Sequence, residues 1–213
     1  MSHTLHRKGT TDNLSGDYVM LAMSAKGVNA ANSSRALKDF FSIISKYDWV
    51  NMGEVKVGGA YVASFQDIVG GVRDTSVAHA VFHDKDEFAR VIAEVKKADL
   101  GLSVTISGLL GIMNEVLTAT GLSPHTVEVS LGIKGKTELL PHSDLLQITT
   151  MCGHGMVSQA LARKTLIDIK RGRISLEKAT ELLATPCACG IFNPRRARII
   201  LEDLMDTWCM DEP

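Results

Sequence analysis

Four residues pose the chemical question: Cys152 and His154 in Met-Cys-Gly-His-Gly-Met (151–156), and Cys187 and Cys189 in Pro-Cys-Ala-Cys-Gly (186–190). In each loop a single residue separates the two donors. Thiolate sulfur and imidazole nitrogen are soft or borderline ligands, so three cysteines and one histidine complete a four-donor shell for an iron–sulfur cluster or zinc. Flanking glycines let the backbone approach a bound centre closely, and amides in such loops can donate to sulfur or to an anion. Structural zinc pairs usually have two to four residues between ligands. The expectation therefore rests on donor softness rather than spacing, and ranks iron–sulfur ahead of zinc. A zinc held by all four would be structural, with no position open to water. A cluster with one histidine ligand would be redox-active or would hold a substrate.

The same loops also support chemistry without a metal. A thiolate at a helix N-terminus has a lowered pKa, and the amides beside it bind anions. On that reading Cys152 is a catalytic acid/base, Cys187 or Cys189 its opposite number across a carboxylate-bearing substrate, and Gly153, His154 and Gly155 cradle the anion. Arg195 and Arg196, in Asn-Pro-Arg-Arg-Ala-Arg (193–198), follow the second loop and would add bidentate anion-binding donors. A third reading is a partner-binding subunit in which the loops hold a structural metal or are simply packed, as free cysteines often are.

Two resemblances attach to these residues. The Cys152-x-His154 pair resembles one ligand loop of Rieske-type iron–sulfur centres, whose second loop is Cys-x-x-His where this chain has Cys187-Ala188-Cys189. Met-Cys-Gly-His-Gly resembles the cysteine loop of proline racemases. That resemblance implies a thiol pair that moves an α-proton while loop amides hold the substrate carboxylate. The racemase second loop pairs Pro-Cys with Gly-Thr-Gly, a pattern that Pro186-Cys187-Ala188-Cys189-Gly190 does not repeat.

Composition narrows the classes. The chain has 213 residues, and 23 Lys plus Arg against 24 Asp plus Glu leave a net charge of −1, which recruits neither nucleic acid nor an anionic membrane. Aromatics at 5% imply an aliphatic core without base-stacking platforms. No apolar run approaches the roughly 20 residues of a membrane span, and the polar start MSHTLHRKGTTDNLSGD lacks the apolar centre of a secretory signal. A cytoplasmic protein with reduced thiols is expected. No Gly-rich phosphate loop follows a strand, so no nucleotide cofactor is expected. The expected partners are a small anionic substrate or a redox partner, and a homo-oligomer is compatible with the sequence.

The elements that must position these loops read as an α/β fold: a layered mixed sheet with crossover helices, followed by a C-terminal helical segment carrying the Cys/His loops. Residues 1–16 read as a flexible leader, 17–140 as the α/β sheet domain, and 141–213 as the helical segment packed on it. Continuous or alternating apolar patterns predict strands at 18–23, 54–57, 77–82, 102–106 and 126–133. In the last, Val127, Val129, Leu131 and Ile133 alternate with Thr126, Glu128, Ser130 and Gly132. Helical spacing predicts a helix through Leu37, Phe40, Phe41 and Ile44, and others after a cap at Asp84 and over 109–117. Further helices are expected over 157–170, after Ser175, and from Asn193-Pro194.

His125 and His142, each beside a proline, are candidates to support the cysteine loops. Glu128 and Ser130 are candidates to line a pocket. His79 reads as a core or edge residue, His3 and His6 as surface residues of the leader, and Cys209 as packed or frayed after Trp208.

Overall fold

Strand β1 (Tyr18–Met23) is buried along almost its whole length, as its unbroken apolar run requires of a central strand. In the computed structural model, which describes residues 4–208, it pairs with β4 (Val77–Phe82) on one side and β5 (Ser103–Ser107) on the other. Strand β2 (Trp49–Glu54) pairs with β4 and with the two-residue β3 (Gly58–Gly59), giving the order β3-β2-β4-β1-β5. His3 and Cys209 lie outside the described residues.

Every pairing is antiparallel, whereas a mixed sheet was expected. The reason is topological. Helix α2 (Ser33–Ile44) carries the chain from β1 to β2 past the position of β4, and α4 (Lys85–Ala98) carries it from β4 to β5 past β1. Each crossover returns its strand parallel to the one it left, with an oppositely running strand between them.

The side-chain alternation of the strands feeds two cores. Tyr18, Met20, Ala22, Met52, Ala80 and Phe82 pack with Leu37, Phe40 and Phe41 of α2, Phe88 and Val91 of α4, and Met113 of α5 (Leu110–Ala119). Val19, Val50 and Val81 belong to the other cluster, with residues of α6 (Ser143–Thr149), α7 (Gln159–Lys170), α8 (Leu176–Ala184) and α9 (Pro194–Thr207). The caps expected at Asp84, Ser175 and Asn193 form, each side chain accepting an N–H of the first turn. Each contributes about 1 kcal/mol.

Two strand expectations fail. Of the alternating segment 54–57 only Glu54 is in a strand, as the last residue of β2; residues 55–57 form the turn that follows, and Val55 there is exposed. The chain at 126–133 is irregular, with Val127, Val129 and Leu131 at 54%, 58% and 81% exposure. Alternation yields a strand only where a neighbouring edge supplies backbone partners, and this stretch pairs with none. Short helices at Thr11–Leu14 (α1), Phe65–Gly71 (α3) and Ser143–Thr149 (α6) were not anticipated. Among the described residues no helix is long and apolar enough to cross a membrane.

Candidate Cys/His centre

The two loops meet under the sheet face that carries Val19, Val50 and Val81. After α6, Met151 is fully buried and anchors the chain in this core, and Val157 anchors it again before Ser158 caps α7. Between the anchors the chain turns outward: the Gly155 N–H donates to the Cys152 carbonyl at 3.0 Å, with Gly155 at φ +69°. Cys152 points inward at 2% exposure, while Gly153, His154, Gly155 and Met156 face solvent.

The second loop is locked from below. The Cys187 N–H donates to Ala184 at the end of α8, and the Gly190 N–H returns to the Cys187 carbonyl, both at 3.0 Å. Gly190 has φ +73°, and a Cβ there would stand 2.4 Å from the carbonyl carbon and oxygen of Met52 in β2. On the facing hairpin, a Cβ at Gly53 would come 2.9 Å from the Cys189 oxygen, and one at Gly59 3.0 Å from the Gly190 Cα. Glycines on both sides thus let the cysteine turn lie backbone to backbone against β2 and β3. The buried Asn51 side chain donates to the Phe192 carbonyl at 2.9 Å and fixes the exit of the turn.

The sulfurs form a chain. The Cys187 thiol interacts with those of Cys152 and Cys189, and Cys189 Sγ lies 3.6 Å from His154 Nδ1. All three cysteines are free and buried. The interaction with Cys187 and then burial push the Cys152 thiol up. Cys187 is lowered by its interaction with Cys152, but that with Cys189 and its burial outweigh this and raise it to about 11. Cys189 is lowered, first by its interaction with Cys187 and then, against burial, by the Ile191 amide. Amides of His154 and Met156 point at Cys152, and that of Phe192 at Cys187. Each sulfur therefore receives at least one backbone donor, which offsets part of the cost of a thiolate but does not reverse the rise at Cys152 and Cys187.

All four expected donors, Cys152, His154, Cys187 and Cys189, are thus brought together. Among the described residues, however, no group of three or more His, Cys, Asp or Glu stands in a metal-holding arrangement. The helix-terminus argument for Cys152 does not hold, because α7 begins only at Gln159. Arg195 is exposed and paired with Asp48 at 2.7 Å. Arg196, expected to bind an external anion, is fully buried and holds the carboxylate of Asp17 at 2.8 Å.

Sequence reasoning missed the polar group behind the loops. Arg7 pairs with Asp17 and also donates to the Met151 and Ile191 carbonyls, and Asn193 Nδ2 reaches Asp17 at 3.0 Å. Burial raises the Asp17 carboxyl, but the charges of Arg7 and Arg196 and the hydrogen bonds from Arg7 and Asn193 win, leaving it below its ordinary value. The only available signal was Asp17 abutting an apolar strand; nothing marked Arg7. A cavity of about 700 Å³ lies elsewhere, between β5, α5 and residues 122–130, and is lined in part by His125, Glu128 and Ser130. His142 caps α6, its ring accepting the Asp144 N–H.

A buried three-thiol cluster with an exposed imidazole, carried on an α/β fold with a five-stranded antiparallel sheet, defines the class of site. No known family model, curated protein or solved structure matches the chain.

Proposed function

We propose that this is a cytoplasmic metal- or iron–sulfur-binding protein whose centre is built from Cys152, Cys187, Cys189 and His154. One observation carries the reading: two loops far apart in sequence direct three buried sulfurs at one another, with backbone amides aimed at each and an imidazole 3.6 Å from the last. Uptake of a soft ion would replace thiol-to-thiol hydrogen bonds with metal–sulfur bonds and release the thiol protons. His154 at the surface is the donor nearest solvent, so exchange of ligand or electrons would occur on that side, with a redox partner or small anion docking there. The helical segment 141–213 acts as a cap on the sheet unit 17–140, and the layering of the fold serves to bury the sulfurs.

The test is anaerobic purification followed by visible spectroscopy and iron, sulfide and zinc analysis. Visible charge-transfer absorption with iron and sulfide, or one zinc per chain, supports the reading, and either should vanish in Cys189→Ala. A folded protein that is colourless and metal-free, and that takes up neither metal when reconstituted, overturns it.

A second reading is favoured by the divergence among the thiols. Cys189 is lowered while Cys152 and Cys187 are raised, and neighbouring groups driven apart in this way suit acid/base work. A racemase- or epimerase-like enzyme would then use the Cys189 thiolate, beside His154, in place of Cys152. Its difficulty is access: Cys152 and Cys187 are both buried rather than facing across an open cleft. Solvent deuterium entering a substrate α-carbon is its signature. The third reading, a partner-binding subunit with a structural metal, predicts bound zinc and no redox response.

A further inference from the structure

The N-terminal segment reaches the cysteine centre through one side chain. The Arg7 guanidinium places a single nitrogen, Nη2, on two carbonyls: Met151, at 3.1 Å, and Ile191. Met151 directly precedes Cys152, and Ile191 lies two residues after Cys189. No backbone hydrogen bond joins the two turns to each other, so this nitrogen is a direct polar link between them. The side chain is 7% exposed, and a planar fork held by several acceptors has little freedom left.

Charge balance does not explain Arg7. Asp17 is already matched by Arg196 at 2.8 Å and hydrogen-bonded by Asn193 at 3.0 Å. Arg7 brings a second cation to one carboxylate, and its Nε is buried without a hydrogen-bond partner. Burying a surplus charge and an unsatisfied donor costs stability. The bridge between the two turns is the contact that makes sense of that cost.

We propose that Arg7 is a positioning residue for the Cys/His centre: by bridging the Met151 and Ile191 carbonyls it fixes the spacing of the two cysteine turns. This rests on the metal reading for its consequence, though not for its geometry. With the bridge in place Cys152 and Cys187 keep one relative position. Without it, the exposed 152–156 turn swings about its anchors while the 187–190 turn stays against β2. Asp17, Asn193 and Arg196 orient Arg7 and connect the clamp to the first turn of α9.

The experiment titrates metal-free protein with cobalt(II) without oxygen, following the sulfur-to-cobalt charge-transfer and ligand-field bands. It compares wild type, Arg7→Met, Arg7→Lys and, as a control, the exposed Arg90→Met. Arg7→Met is expected to melt cooperatively but to bind cobalt at least tenfold more weakly with altered bands. Arg7→Lys should fall in between, and Arg90→Met should match wild type. Equal affinity and identical bands in a merely less stable Arg7→Met overturn the proposal. If wild type binds no cobalt, the metal reading fails by itself, and the clamp is read from the rate at which a thiol reagent traps Cys152 in native protein. That rate should rise at least tenfold in Arg7→Met, and an unchanged rate overturns the proposal. If Arg7→Met does not fold, Arg7→Lys decides by the same two readouts: it must differ from wild type at least threefold, and equality overturns the proposal.

Discussion

The two cysteine turns differ more in what lies behind them than in sequence. The 187–190 turn is pressed onto β2 and β3 through Gly53, Gly59 and Gly190, and both its cysteines are fully buried. The 152–156 turn is anchored only at its ends, by Met151 and Val157, and a Cβ at Gly155 would meet nothing within 4 Å. Both turns end on a glycine with positive φ, yet one glycine answers to packing and the other to chain conformation alone. A centre assembled this way has a fixed half and an adjustable half. On the proposed metal reading, a ligand arriving from solvent would adapt the second to the first.

The largest effect that could break this comparison is Gly190→Ala. The new methyl would collide with rigid Met52 backbone in a left-handed conformation, so a loss of about 4–5 kcal/mol or outright failure to fold is expected. Urea denaturation read by circular dichroism measures it. A loss below about 1 kcal/mol would mean the turn is not locked against the hairpin.

Next is Asp17→Asn, which strands Arg7 and Arg196 in the interior. A cost of roughly 3 kcal/mol near neutral pH is expected, at the low end for a broken buried pair because both arginines keep other acceptors. The pH dependence has a definite sign. The folded-state pKa of Asp17 lies below its ordinary 3.8, so its contribution is fully present above that value and disappears as pH falls through the lower folded pKa. The stability gap between wild type and variant should therefore be constant from pH 7 to about 5 and narrow below pH 4. A gap that widens in acid would place the charges wrongly.

The sheet strands 18–23 and 77–82 were legible because burial writes itself into apolar patterning; 102–106 was legible from its alternation, although the edge strand β5 is exposed or half-buried throughout. Three helices were legible from Asp84, Ser175 and Asn193-Pro194, where cap chemistry is local. The segment 126–133 misled for the converse reason: alternation states what a strand would bury but not whether an edge is there to receive it. The four donors of the centre were legible by type. The uneven shifts of the three thiols were not, because they depend on burial and on amides from Ile191, Phe192 and Met156 that only the fold brings to bear. Arg7 and Asp17 were opaque, since beyond their pairing with each other they are held by residues 144 and 179 positions away.

The smallest effect sharpens the comparison most. Gly155→Ala introduces no collision, only a left-handed backbone for a residue with a side chain, which costs about 1–2 kcal/mol. Because 152–156 is tied at its ends rather than along its length, that strain can relax by moving the turn instead of unfolding the core. Global stability should fall by about 1 kcal/mol or less, while the position of His154 relative to Cys189 changes. Denaturation midpoints and the metal-binding spectrum would therefore separate: Gly155→Ala alters the spectrum with little loss of stability, whereas Gly190→Ala cannot alter one without the other. If Gly155→Ala were as destabilising as Gly190→Ala, the two turns would be equally constrained and the adjustable half would not exist.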